Sequence, residues 1–163
     1  MSRLEPPALD PAVLPEASGS GYPEPFRRRV AGKHRRRLGD ALGLKNFGVN
    51  LTRLDPGIES SMRHAHSNQD ELIYVIEGEV TLVTDAGRQK LGPGMVAGFP
   101  AGSGDGHQLV NETGRPAVFL EVGDRTPGDE VIYSDIDMVG KTIGGRWTYL
   151  HKDGKPYPDP EKK

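Results

Sequence analysis

Short apolar segments recur between residues 42 and 123, and turn sequences separate them. Two clear examples are VTLVT at residues 80–84 and AVFLEV at residues 117–122, both rich in β-branched side chains. Asp-Pro-Gly at residues 55–57 and Asp-Ala-Gly at residues 85–87 are typical turn sequences. No stretch keeps the 3.6-residue period of an amphipathic helix over a useful length. The pattern predicts about eight short strands and an all-β sandwich or barrel.

The segment ELIYVIE, from Glu71 to Glu77, is apolar at nearly every position, so both of its faces are predicted to be covered. If Glu71 points into the barrel, the two-residue period of a strand turns Ile73 and Val75 inward as well. The other face would then pack outside the barrel through Leu72, Tyr74 and Ile76. A mainly apolar inner wall favours a small organic ligand over a heavily charged one.

The two ends of the chain lack this pattern. Residues 1–25 contain six of the fourteen prolines, and residues 27–37 contain six arginines, one lysine and no acid. We predict an extended, partly disordered arm over residues 1–37, a barrel over residues 38–125, and a short extension over residues 126–163. The extension is expected to pack on the barrel or on a dimer partner. The basic segment is either solvated or an anion patch, and the lack of interleaved aromatic residues favours the first.

Charge and composition narrow the class of protein. The net charge is −2; without the seven basic residues of the segment, 14 of the 21 remain against 23 acids, a net charge of −9. The barrel is therefore a poor candidate for binding nucleic acid. The absence of cysteine excludes disulfides and thiolate metal sites. No apolar run is long enough for a signal peptide or a membrane span, so we expect a soluble, cytoplasmic protein.

Three histidines and one carboxylate are placed to converge. His64 and His66 are separated by one residue in a predicted strand, so they share a face. Glu71 opens the next strand, and His107 opens a later strand after a glycine-rich loop. Three imidazoles and a carboxylate suit a divalent transition metal, namely Mn, Fe, Ni, Co or Zn. Asp70 lies beside Glu71, but strand parity favours Glu71 as the ligand.

The spacing of these residues resembles the two motifs of the cupin superfamily, specifically its small single-domain bacterial members. The family's first motif is G, five residues, HxH, three or four residues, E, six residues, G; here the corresponding positions are Gly57, His64, His66, Glu71 and Gly78. The second motif is G, five residues, P-x-G, two residues, H, three residues, N; here the positions are Gly94, Pro100, Gly102, His107 and Asn111. The chain departs from the family by one extra residue before His64 and two before His107, both in turns, where length changes are tolerated.

The resemblance implies a cupin β-barrel, also called a double-stranded β-helix or jelly roll. It also implies that His64, His66, Glu71 and His107 hold a metal ion, and that two copies form a homodimer. Some members of the family have a complete set of ligands whose metal is absent or only structural, and this alternative stays open.

Further residues are candidates for contacts around the metal. Four polar side chains could bind substrate, although turn and surface roles would also explain them: Asn50, Arg53, Asn111 and Glu121. Asp105 could orient His107 or only shape its turn. The remaining histidines, His34 and His151, are expected at the surface.

The fold does not decide the reaction. The first hypothesis is a metal-dependent oxygenase, isomerase or lyase that acts on a small organic or sugar-like molecule. The alternative is a non-catalytic module that binds or senses such a ligand. Similar small cupins are often described as sugar-phosphate isomerase-like, but Arg88, Lys90 and Arg115 lie in or beside turns and form no evident phosphate clamp. No catalytic residue is assigned from the sequence.

Overall fold

The computed structural model describes residues 4–158, which form three antiparallel sheets with little helix. The strands are β1 (Ala17–Ser18), β2 (Lys33–Arg37), β3 (Phe47–Leu54), β4 (His64–His66), β5 (Glu71–Glu77), β6 (Val80–Thr84), β7 (Gly87–Leu91), β8 (Val96–Phe99), β9 (Gln108–Val110), β10 (Ala117–Asp124), β11 (Glu130–Tyr133), β12 (Val139–Ile143) and β13 (Arg146–Leu150). The one α-helix in this range is α1 (Leu38–Ala41), and 3₁₀ turns cover Pro11–Val13 and Phe26–Val30. The predicted all-β class is confirmed.

The sheets are arranged as a barrel. The first has the strand order β1-β2-β3-β10-β5-β8, the second β13-β12-β11-β4, and the third β7-β6-β9. A bridge between His64 and His107 joins the second sheet to the residue that precedes β9. The third sheet packs on the first through one apolar core, which contains Leu54, Ile73, Val75, Val80, Leu82, Leu91, Leu109, Ala117 and Phe119. This core fills the space between the two sheets.

The alternation along β5 follows the prediction on its inner face. Ile73 and Val75 are buried in the core. On the opposite face Leu72, Tyr74 and Ile76 are 41%, 42% and 44% exposed, so no described residue of this chain covers them fully. The outer face of β5 is therefore an apolar surface.

A second core joins the two ends of the chain. Tyr22 and Val30, from the predicted arm, pack with Val131, Tyr133 and other residues that follow the barrel segment. The hydroxyl of Tyr133 donates to that of Tyr22 over 3.2 Å. Edge-to-face contact between the same two rings adds to the packing. Residues of the arm are in this way held against the barrel.

The basic segment contributes a strand to the first sheet. Strand β2 pairs antiparallel with β3, with Lys33 opposite Leu54 and Arg37 opposite Asn50. Residues 33–37, placed in the arm by the sequence prediction, are thus hydrogen-bonded to the barrel. Alternation explains how a run of basic residues fits there, because successive side chains leave the strand on opposite faces.

Gly78 closes the tight connection between β5 and β6. Its φ angle of +75° is in the left-handed region, and a Cβ atom there would lie 2.6 Å from the carbonyl oxygen of Pro116. Both observations require glycine at this motif position. Within residues 4–158, no helix is long and apolar enough to cross a membrane.

Candidate metal centre

Four side chains converge where β4 meets β5 and β9. His64 and His66 project from the same face of β4, and Glu71 is the first residue of β5. The ligand atoms of these three residues all lie within 4.8 Å of one another. His107 lies opposite His64, and its Nε2 is 3.3 Å from Oε2 of Glu71. The same carboxylate oxygen is 3.4 Å from Nε2 of His66. The four residues predicted from the sequence are therefore neighbours in space.

Hydrogen bonds orient two of the imidazoles. Nδ1 of His64 lies 2.9 Å from the carbonyl oxygen of Met62, which can only accept, so this nitrogen carries the proton. Nδ1 of His66 lies 2.7 Å from Oδ2 of Asp129. In both rings the second nitrogen, Nε2, is left to face the cluster. This is the arrangement by which outer residues set the tautomer of metal-binding histidines.

Asp129 was not singled out in the sequence. It is buried and also accepts from the backbone N–H of Asn68 and the hydroxyl of Ser67. Asp129 lies 63 residues from His66 in the sequence, so no local sequence pattern predicts their contact. Asp105, proposed to orient His107 or to shape its turn, accepts from the backbone N–H of Asp85, and a role in shaping the turn stays a prediction.

The ring of His107 is held by packing. It stacks on Phe99 with 3.6 Å between the ring centroids and 4° between the planes. Among the residues described, none forms a hydrogen bond with its buried Nδ1. The contact of Nε2 with Glu71 is thus the polar interaction that the structure gives this ring.

The pKa values of the side chains in the cluster favour the binding of a cation. Burial lowers the pKa of His64 to about 3, so its imidazole is neutral. Burial raises the pKa of Glu71, but hydrogen bonds from His107 and His66 outweigh it and hold this pKa well below the usual range. Burial also lowers the pKa of His66, while hydrogen bonds to Glu71 and Asp129 raise it to about 8 overall. Nε2 of His66 and Oε2 of Glu71 lie 3.4 Å apart, so a metal ion bound by both would displace a proton from the imidazole. The nitrogen and oxygen donors fit a divalent transition metal.

A cavity of about 430 Å³ opens over the cluster. Its apolar lining includes Ile73, Phe99 and Leu109, as expected from the alternation of β5. Its other walls are more polar than the sequence led us to expect, because strands β2, β3 and β10 contribute Lys33, Arg35, Asn50 and Glu121. Ser20, Gly21 and Tyr22 of the arm also line it.

Two of the four predicted substrate contacts line this cavity. Asn50 lies on its wall, and Glu121 accepts from Nζ of Lys33 over 2.9 Å and from the hydroxyl of Thr52 over 3.0 Å. A role in substrate binding stays a prediction for both.

The other two predicted contacts, Arg53 and Asn111, point elsewhere. Arg53 follows the inward-facing Thr52 on β3, so alternation turns it to the opposite face, where it binds Glu16 over 2.8 Å and also Asp55. Asn111 is fully buried, and its side-chain amide donates to the backbone oxygens of Leu54 and Arg115. In this structure both residues hold the fold together.

The basic residues that line the cavity are not those considered as a phosphate clamp. Arg88 binds Glu112, and Lys90 binds Glu79 over 3.0 Å, both outside the cavity lining. The cationic side chains in the lining are Lys33, Arg35 and Arg125. For Lys33 and Arg35, the available signal was the alternation of KHRRR, once that segment is taken as a strand.

Comparison with known proteins identifies relatives of the whole chain. The Cupin domain family model matches residues 50–123. A sugar phosphate isomerase of the cupin superfamily from Silicibacter pomeroyi has a TM-score of 0.89 and 47% sequence identity. This match covers 93% of the present chain and 97% of the other. No significant match was found among curated proteins.

More distant structures share the architecture. A protein from Acidithiobacillus ferrooxidans, proposed to be a sugar phosphate isomerase, has 30% identity and a TM-score of 0.69 over 74% of this chain and 77% of its own. A polyketide cyclase from Streptomyces resistomycificus has 24% identity and a TM-score of 0.59, covering 75% and 82% of the two chains, and shows the fold alone. Because identity of 47% extends over nearly the full length of both chains and both motifs are in place, the chain belongs to the cupin superfamily.

Proposed function

We propose that this protein is an enzyme that depends on a divalent transition metal and isomerises a small sugar-like molecule. His64, His66, Glu71 and His107 would hold the metal. Support for the reaction comes from the relatives from Silicibacter pomeroyi and Acidithiobacillus ferrooxidans, both described as sugar phosphate isomerases, the second as a proposal. The volume of about 430 Å³ is in the range of small-molecule sites.

One observation carries the proposal: a buried acid–base pair shares the cavity with the metal cluster. Glu121 on β10 is opposite Ile73 on β5, and Glu71 is two residues before Ile73 on the same face. Residues in such a diagonal position on one face of a sheet, here Glu71 and Glu121, lie roughly 7–8 Å apart. Lys33 and Glu121 are nearly enclosed, with 9% and 15% of their side chains exposed. A small substrate could therefore touch both groups at once.

The roles of the side chains follow from their chemistry. A bound metal would act as a Lewis acid on a substrate carbonyl or hydroxyl oxygen. The Glu121 carboxylate would take a proton from the hydroxyl-bearing carbon beside that carbonyl and return it to the former carbonyl carbon, while the proton of that hydroxyl passes to the former carbonyl oxygen. Lys33 and Thr52 would hold the carboxylate in place through the hydrogen bonds to its two oxygens. The net change is a shift of the carbonyl along the substrate, with no change in oxidation state.

Metal analysis of the purified protein, followed by a substrate panel, tests this proposal. We expect about one metal ion per chain, and NMR should detect interconversion of at least one sugar or sugar phosphate, which stops after chelation. The variant His64→Ala should lose metal and turnover. His151→Ala is the matched control, because His151 lies outside the cavity and binds Asp137. A protein that binds a sugar equally well without metal and never turns it over would contradict the proposal and identify a non-catalytic binding module.

We also propose that two copies associate through the outer face of the first sheet. Leu72, Tyr74 and Ile76 on β5 and Val96 on β8 are exposed, and β5 and β8 are hydrogen-bonded neighbours. A continuous apolar patch of this kind is typical of an interface. Light scattering should give twice the mass of the chain, and Tyr74→Glu should give the monomer. A monomeric parent protein would contradict this part of the proposal.

A further inference from the structure

Strand β2 divides its basic side chains between two environments. His34 and Arg36 leave the outer face, where His34 binds Asp55 and Arg36 binds Glu16. Lys33 and Arg35 leave the opposite face and line the cavity. The strand therefore places two positive charges on the wall of the proposed active site. Of these, Lys33 is paired with Glu121.

Most of the charged groups that line the cavity already have partners. Among the carboxylates, Glu71 accepts from His107, Glu121 from Lys33, and Asp124 from the backbone N–H groups of Asp70 and Thr126. Arg35 is the exception, since its side chain forms no hydrogen bond or ion pair with any residue between 4 and 158. Arg35 is a half-buried residue, and the five N–H donors of its guanidinium have no acceptor among the residues that the structure describes.

The neighbours of Arg35 do not neutralise it. Tyr22 and Tyr149 also line the cavity and are close enough for the charge of Arg35 to act on them. Burial raises the pKa of both phenols above the usual value, and Arg35 opposes this rise only weakly. Both tyrosines remain uncharged at neutral pH. Arg35 is therefore a positive charge beside neutral side chains.

A second arginine contributes to the same cavity. Nη2 of Arg125 binds Asp40, and Nη1 donates to the carbonyl oxygen of Leu44 over 3.2 Å. These contacts position the side chain and leave further N–H donors for a ligand. Arginine presents its donors in a planar fork that matches the oxygens of phosphate and carboxylate groups.

We propose that Arg35, assisted by Arg125, binds the oxyanion group of the substrate, either a phosphate or a carboxylate. The proposal rests on the proposed function only in placing the substrate in this cavity. It assigns separate tasks to two parts of the cavity: the metal cluster and Glu121 would act on the reacting carbons, while Arg35 would hold the charged end of the molecule. The sequence analysis favours a small organic ligand over a heavily charged one, and a single oxyanion group adds one charged end to such a ligand.

Binding of small anions to the full chain tests the proposal. Inorganic phosphate and acetate serve as probes in isothermal titration calorimetry, with the protein measured both loaded with metal and treated with chelator. We expect Arg35→Ala to weaken binding of the preferred anion about tenfold or more, and Arg35→Lys to restore part of it. Arg125→Ala should have a smaller effect. Preference for phosphate or for acetate supports the proposal in either case and identifies the group.

The matched control is Arg36→Ala. It removes the same charge from the same strand, but on the face opposite the cavity. Equal losses in Arg35→Ala and Arg36→Ala would overturn the proposal, because they would indicate a general charge effect. Failure of both anions to bind the parent protein would overturn it too. Thermal unfolding of each variant checks the fold, and Arg35→Gln replaces Arg35→Ala if the latter does not fold.

Failure of this proposal can be told from failure of the proposed function. If chelation abolishes anion binding and Arg35→Ala leaves it unchanged, the anion binds the metal; this overturns the role of Arg35 and leaves the metal enzyme intact. If anion binding depends on Arg35 but no sugar is turned over, the anion site stands and the proposed isomerase does not.

Discussion

The cluster of His64, His66, Glu71 and His107, which holds the proposed metal ligands, and the basic wall of the cavity are built in different ways. The imidazoles of the cluster are held by protein partners, with His64 bound to Met62 and His66 to Asp129. On the basic wall, Lys33 is paired with Glu121, whereas Arg35 has no acceptor among residues 4–158. The cluster is therefore preorganised by the chain itself, and the basic wall has one charge left for a ligand. Such a division suits a site where metal binding and substrate recognition are separate steps.

Among the substitutions that test this difference, loss of the carboxylate from the cluster should have the largest effect, and the quantity affected is metal affinity. Glu71→Ala removes the oxygen that His66 and His107 both contact. We expect metal affinity to fall by more than about 100-fold. Loss of a residue that only hydrogen-bonds to a metal ligand typically lowers affinity by up to about 100-fold, and loss of a ligand itself should cost more. Metal titration by calorimetry measures the loss. Asp70→Ala is the control, since Asp70 is adjacent but outside the cluster; equal losses would mean that the wrong acid is assigned.

Removing the proposed acid–base group should lower the turnover rate and leave metal binding nearly unchanged. Glu121→Gln keeps the size of the side chain but loses the carboxylate that would transfer the proton. Turnover is expected to fall by about 100-fold or more, a usual contribution of general acid–base catalysis. Metal affinity, measured by calorimetry, should stay within about twofold of the parent protein, which corresponds to a change in binding free energy of less than about 0.5 kcal/mol. Unchanged turnover would show that Glu121 has no catalytic role.

A smaller effect is expected for the residue that orients His66. Asp129→Asn keeps a hydrogen-bond acceptor but removes the negative charge 2.7 Å from Nδ1. Metal affinity should fall between about 10- and 100-fold. Asp105→Asn provides the comparison, because Asp105 contacts the backbone of Asp85 and none of the four proposed ligands. If Asp129→Asn binds metal as tightly as the parent, the Asp129 contact is only structural.

The smallest change concerns the packing behind the basic wall. Tyr22→Phe removes the hydroxyl that accepts from Tyr133, leaving a buried donor without its partner. The free energy of unfolding should fall by about 1 kcal/mol. Urea denaturation with tryptophan fluorescence measures this value. Ser103→Ala, which removes a hydroxyl at an exposed position, should change it by less than about 0.5 kcal/mol; equal effects would argue that the arm does not dock through Tyr22.

The sequence predicted the parts of the site that depend on short spacing. His64 and His66 share a face because they are two residues apart in a strand, and Glu71 follows five residues later. The short apolar segments separated by turn sequences similarly predicted the all-β fold. Gly78 has a physical basis in its positive φ angle and in the close approach of Pro116. Local geometry is enough for all of these features.

Features that depend on distant pairing were not predicted. Nothing in residues 33–37 indicates that they pair with β3, so Lys33 and Arg35 were assigned to an arm. The contact of Asp129 with His66 arises because β11 pairs with β4. Arg53 and Asn111 were singled out for their polarity, whereas their actual contacts depend on which face of β3 is inside and on the loop around Arg115. Tertiary pairing decides each of these positions.

The joining of both chain ends in one core has a consequence for biosynthesis. Tyr22 contacts Tyr133, 111 residues later, and also packs on Tyr149. A ribosome delivers the N-terminal residues first, so Tyr22 has no docking surface until the later strands have emerged. The segment around Tyr22, and with it the part of the cavity wall formed by Ser20, Gly21 and Tyr22, then docks only after those strands have emerged. The four proposed metal ligands, the last of which is His107, leave the ribosome before the later partners of Tyr22, so a metal would be able to bind while the cavity is still open on that side.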